Sequence, residues 1–201
     1  MTTPQRRLEL VGDTAETEPS IDPQWQADRV IEQWAPEHQY VGALMWLAAE
    51  HATPLLELVP DTAIWRPLTQ WAYQLIRALV EDGNDPNPVL ILAEAKHRPP
   101  SNALDPGHDP TEHRIRQLSL YLFDAYSQAV APRDCAHRYA REVLDEAYRR
   151  AFRTGGQRMQ DLAEAGADRD DLTTQFTAIR DELADLWKRA ETAASQERNP
   201  T

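Results

Sequence analysis

Four side chains able to bind a soft metal lie in neighbouring segments. His108 and His113 flank Asp109-Pro110-Thr111-Glu112, and Cys135 and His137 stand further along. Imidazole and thiolate suit zinc, but structural zinc sites close with paired ligands at short, regular spacings, which these four do not have. Asp109 is better explained as a helix cap, so no metal and no other cofactor is expected. Carboxylates are abundant, with 33 Asp and Glu, yet no pair stands beside a histidine or nucleophile so as to assign acid and base roles. None of the 7 glycines falls in a phosphate-cradling pattern. No catalytic residue is assigned, and the chain reads as a non-enzyme.

A second candidate chemistry is phosphate binding by Arg133, Arg138, Arg141, Arg149, Arg150, Arg153 and Arg158. The same stretch sets Asp134 four residues before Arg138, Asp145 before Arg149 and Glu146 before Arg150. Pairs at that spacing stabilise a helix and neutralise its charge. A net charge of −12 points the same way, because contact with a nucleic-acid backbone needs cations to replace counterions. Direct nucleic-acid binding is therefore not expected. Of the tryptophans, Trp71 sits on a core stripe and Trp65 opens it, whereas Trp34 belongs to a short helix near the start. Trp46 and Trp187 lie beside their helices' main stripes and are the candidates for partner contact, together with Arg149 and Arg150.

The elements that position these residues are helical. Val130 to Phe152 carries Ala136, Tyr139, Ala140, Val143, Ala147 and Ala151 at three-and-four spacing, and Pro132 can open that helix. Upstream, an apolar helix is predicted from Glu37 to Ala48, an apolar cluster at Leu55 to Val59, and a core helix over Trp65 to Asp82 ended by Gly83. A short helix follows the Asn87-Pro88 cap, and a further one follows Asp109-Pro110, read as a capping box with Glu112. Gly155-Gly156 weakens helix continuity, with resumption expected until Gly166.

The last segment steps by four and three through Leu172, Phe176, Ile179, Leu183, Leu186 and Ala190, a narrow heptad seam. Such a seam needs a partner. The expected solution is an antiparallel hairpin turning at Gly166 to Asp171, with Leu172, Phe176, Ile179, Leu183, Leu186 and Trp187 serving self-association with a second chain. No segment shows sustained period-two alternation. The fold class is thus all-α, a helical bundle followed by a long antiparallel helical hairpin. Residues 1–21 read as a disordered tail, in which Leu8, Leu10 and Val11 could form a docking peptide, 22–130 as the bundle, 131–195 as the hairpin arm and 196–201 as a disordered end. The single Cys135 and the lack of an apolar run of bilayer length fit a cytoplasmic protein with no membrane contact.

The order of motifs resembles the N-terminal domain of the bacterial replicative DNA helicase of DnaB type. Glu37, Tyr40, Val41, Gly42, Ala43, Leu44 and Met45 are similar to that family's E-x-x-V-L-G-A-L-L helix. Trp65-Arg66-Pro67, then Ile76, Leu79, Asp82-Gly83 and Pro86 with Pro88-Val89, are similar to its aromatic, proline, helix and G-x-P succession. Tyr121-Leu122, Pro132 and Tyr139-Ala140 with Val143, Ala147 and Arg150 resemble its Y-A-x-x-V helix ending in Arg. The likeness extends from Glu37 to the final helix. Thr69 departs from the family's usual His, the loop from Pro99 to Asp109 is unusually rich in proline, and Thr201 falls where the family would continue into an ATP-binding motor.

The resemblance implies a collar-like module that self-associates, as a dimer or higher, and touches the helicase, primase or loader proteins. It implies no unwinding, and leaves adaptor, competitor and relic as possible roles. Two other readings remain open: a structural helical dimer without a replication role, and a small metal-dependent enzyme.

Overall fold

The computed structural model describes residues 30–103 and 107–198, among which every regular element is a helix. After a helical turn at 30–33 come α1 (Pro36–Leu44), α2 (Ala49–Leu58), a 3-10 turn (Asp61–Ala63), α3 (Pro67–Glu81) and α4 (Pro88–Glu94). Then follow α5 (Glu112–Ser127), α6 (Pro132–Glu164) and α7 (Arg169–Arg198). The expected tail at 1–21, with its Leu8, Leu10 and Val11, lies outside the described residues.

Local signals set most helix ends. Proline opens α1, α3, α4 and α6, where its missing N–H costs no hydrogen bond. The Asn87 side chain accepts from the amides of Val89 and Leu90 and so caps α4. Gly83, at φ +76°, ends α3 in a left-handed turn in which the Asn84 amide donates to Leu79 O at 2.8 Å.

The structure corrects several expectations. Helix α1 stops at Leu44 rather than Ala48, and the apolar run at Leu55 belongs to a helix, α2. The break is held from a distance: the Asp85 carboxylate accepts from the Ala49 amide at 2.8 Å, satisfying a first-turn donor of α2. The cap of α5 is Thr111, whose Oγ1 accepts from the Arg114 amide, and not Asp109. Helix α6 runs unbroken through Gly155-Gly156, and α7 continues to Arg198, past the expected end at residue 195.

The core is built where α1, α3 and the first half of α6 meet. Tyr40, Val41, Leu44, Leu75, Ile76 and Leu144 are fully buried there. Small residues on α6, namely Ala136, Ala140, Ala147 and Ala151, keep the long helix close to the bundle. Gly42 lets α1 meet α5, since a Cβ at that position would strike Ala125 O and come within 3.2 Å of the Ala129 Cβ. The last carbonyls of α2 are satisfied from outside the helix. Tyr40 donates to Leu55 O at 2.9 Å and Tyr73 to Val59 O at 2.6 Å, while Arg77 Nη2 reaches Leu56 O and Val59 O, each at 2.9 Å.

The expected hairpin is present. Gly166, at φ +72°, ends α6, the Ala167 amide donates to Leu162 O at 3.0 Å, and the Asp168 carboxylate accepts from the amides of Asp170 and Asp171. Gly155 allows close packing, because a Cβ there would lie 2.7 Å from Ile179 Cγ2. Gly156 faces open space. The arm is also tied to the bundle: Leu186 and Ala193 enter the core, and Arg189 Nη1 donates to Glu57 O at 2.8 Å.

The two environments of glycine predict opposite outcomes. Gly42→Ala should destabilise the chain by about 1–3 kcal/mol through overpacking, whereas Gly156→Ala should stabilise it by roughly 0.8–1 kcal/mol through helix propensity; urea unfolding of each variant measures both. A pH dependence also follows from His38, which is 5% exposed. Burial is the main cause that lowers its pKa from the ordinary value of 6.5, partly opposed by Asp124. The unfolded chain therefore gains a proton near pH 6.5 that the folded chain does not. Stability is complete above that pH and declines as pH falls below it. His38→Phe should flatten this decline in urea titrations at successive pH values.

Candidate protein-interaction surfaces

Hairpin packing divides the predicted self-association seam in two. Leu186 is buried, Ile179 packs on Gly155, and Leu172 and Leu183 are half-buried. Phe176 and Trp187 instead face outward, at 57% and 60% exposure. Eleven residues make just over three helical turns, so these two lie on one stripe of α7, with Leu183 between them. Facing them on α6 are Tyr148, edge-on to Trp187 at 6.1 Å, and Phe152, 6.5 Å from Tyr148 and itself 62% exposed. Trp187, Tyr148 and Phe152 thus form an aromatic cluster on the hairpin, and Phe176 stands exposed about three turns before Trp187 on α7. Tyr148 and Phe152 did not figure among the sequence candidates, although their i,i+4 spacing was a visible signal.

The remaining candidates have diverged. Trp46 stacks on Tyr126 with ring centroids 4.4 Å apart, donates to Tyr126 O at 3.1 Å and stays 38% exposed. It closes the end of α1 onto α5 and leaves one edge to solvent. Arg149 is exposed. Arg150 turns inward: Nη2 donates to Ala63 O at 2.6 Å, Nη1 lies 3.6 Å from Glu37, and the guanidinium sits 5.4 Å from the Trp65 ring centre. Its expected pairing with Glu146 gives way to Glu37, which is buried and also accepts from the amides of Trp65 and Arg66. Glu146 has its pKa raised by burial first and by Glu37 next. Arg141 takes Asp145, at 3.9 Å, and Glu197. Trp65, expected to open the core, is 66% exposed beneath Arg150.

The four soft-ligand candidates do not converge. His108 and His113 are exposed, Cys135 and His137 are half-buried, and among the described residues no three His, Cys, Asp or Glu side chains form a metal-sized group. Among the same residues no helix is long and apolar enough to cross a membrane.

No family model matches the sequence, and no curated protein matches it. Among solved structures, the chain is similar to the N-terminal domain of DnaB helicase from Mycobacterium tuberculosis. The TM-score is 0.57 at 21% identity, over 72% of this chain and 94% of that one. The fold is helicase N-terminal-like. At that identity the likeness is one of fold alone.

The inward turn of Arg150 carries a prediction. Arg150→Met leaves the Glu37 carboxylate buried without its cation and should destabilise the fold by about 3 kcal/mol, whereas Arg149→Met should change urea stability by less than about 0.5 kcal/mol.

Proposed function

We propose that this chain is a non-catalytic protein–protein interaction module of DNA replication, which self-associates through its hairpin and contacts a replicative helicase or primase. The observation that carries the reading is the set of exposed aromatic side chains Phe152, Phe176 and Trp187, with half-buried Tyr148 beside Trp187, on the hairpin of a chain with a helicase N-terminal-like fold. Aromatic side chains bury roughly 150–250 Å² each, and contiguous exposed apolar surface marks interaction sites. A second chain bringing the same side chains would form a two-fold, self-complementary contact. Within the former seam, Phe176 and Trp187 meet the second chain, while Leu186 and Ile179 hold the hairpin itself together. Trp46 and Arg149 remain available to a different partner.

The double variant Phe176→Glu, Trp187→Glu tests the self-association directly, because both side chains are exposed and their replacement leaves the core intact. Wild-type chain should elute as a dimer or larger by size-exclusion light scattering, and the variant as a single chain with unchanged helical circular dichroism. A monomeric wild type, or an unchanged mass in the variant, overturns the hairpin interface. Calorimetry against the replicative helicase and the primase of the same source tests the second half; micromolar binding to either is expected. A well-folded oligomer that binds neither would favour a structural helical dimer.

A further inference from the structure

Helices α3 and α5 leave a groove of about 690 Å³ between them. Its floor is polar yet closed to solvent. His38 is 5% exposed and Thr69 2% exposed, and the Tyr121 hydroxyl lies out of water between them. The imidazole and phenol meet edge-on, with centroids 5.2 Å apart. His38 Nε2 is a buried atom without a hydrogen-bond partner, whereas the Tyr121 hydroxyl has Thr69 as its hydrogen-bonding neighbour. Buried polar atoms in folded proteins are nearly always paired, and each exception calls for an explanation. His137 Nδ1 and Gln196 Oε1 are exceptions away from this groove, while His38 lines it beside Tyr121.

The walls and rim narrow the choice of occupant. Pro67, Leu68 and Leu120 supply an apolar wall, and Leu120 is 68% exposed. Glu32, Asp124 and Arg66 also line the groove, and Asp124 accepts from Gln33 Nε2 at 3.2 Å. Arg66 is already engaged, its Nη1 lying 3.4 Å from Glu32 O and 4.0 Å from the Glu32 carboxylate. The groove therefore carries an excess of negative charge on a chain of net charge −12, which disfavours anions. Burial keeps the imidazole neutral, so His38 and Tyr121 offer neutral donors and acceptors. Such a floor matches an amide group rather than a charge.

We propose that this groove is a peptide-recognition site for an extended segment of a partner protein. The segment sets a backbone amide on His38 and Tyr121, an apolar side chain on Leu68 and Leu120, and a basic side chain at the Glu32 and Asp124 rim. The inference rests on the groove alone and is independent of the replication reading. It also accounts for the buried His38 Nε2 that has no partner within the chain, since a site built to hydrogen-bond a ligand holds its donors and acceptors ready.

The test uses the full-length chain with ring ¹⁵N-labelled histidine and follows the His38 nitrogens by NMR. The probe is N-acetyl-leucyl-arginine amide, with N-acetyl-leucyl-glutamate amide as its charge-reversed counterpart. The basic probe should shift His38 Nε2 saturably, with a dissociation constant on the order of 1 mM, and bind about tenfold more tightly than the acidic probe. Tyr121→Phe, which removes one hydroxyl, should weaken binding about fivefold. Leu120→Ser, at an exposed position that leaves the core intact, should weaken it as well. Three results overturn the proposal: a shift that grows linearly without saturating, an equal response to both probes, or equal binding in both variants. Failure of the basic probe to bind, with His38 shifted instead by an Arg6→Glu, Arg7→Glu variant, would assign the groove to the chain's own first residues and overturn a partner in trans.

Discussion

One buried carboxylate holds the three parts of the bundle in register. Glu37, on the first turn of α1, accepts from the amides of Trp65 and Arg66 at the entry to α3, and lies 3.6 Å from Arg150 on α6. Arg150 in turn donates to the carbonyl of Ala63 in the 3-10 turn. A charge so deeply placed persists only where its lone pairs are met by fixed donors. The donors come from two separate segments, so α1, the α3 entry and α6 must all be in place at once. The exposed Trp65 and the half-buried Glu146 follow from that arrangement.

From this fixed point α6 leaves the bundle, and its composition changes along its length. The first half carries alanines and a valine, which let α1 pack closely. Beyond Ala151 the helix packs chiefly against α7 among the described residues, and Gly155 sets the closest approach. Gly155 admits Ile179, while large side chains stand to one side of the seam. A two-helix hairpin can bury one stripe per helix and no more. The aromatic residues left over on its outer face are a geometric consequence of having two helices there rather than three.

The two surfaces differ in kind. The hairpin carries exposed aromatic side chains, Phe152, Phe176 and Trp187, whose apolar contacts are non-directional. The groove over His38 and Tyr121 is polar at its base and acidic at its rim, and its hydrogen-bonding groups have fixed directions. The first favours extent of contact, and the second favours selection of a ligand by shape and donor pattern.

Much of the architecture was written locally. Proline at the starts of α1, α3, α4 and α6, Asn87 at a cap and Gly83 and Gly166 at left-handed ends act within a few residues of one another, and three-and-four spacing named the buried faces of α3 and α6. The misjudged boundaries share a cause: α2 begins where Asp85 supplies a cap from a distant loop, which no local pattern displays. The heptad seam announced a hairpin but could not say which of its residues face inward, because a seam of six positions is wider than the line along which two helices touch. The roles of Glu37, His38, Tyr121 and Arg150 were likewise hidden. Each is an ordinary polar residue on a helix until other segments desolvate it. Helical propensity, capping and periodicity are properties of neighbours in the chain, and the sequence by itself determined them. Burial of charge, orphaned polar atoms and the split between inner and outer faces depend on segments far apart in the chain, and only the tertiary structure decided those.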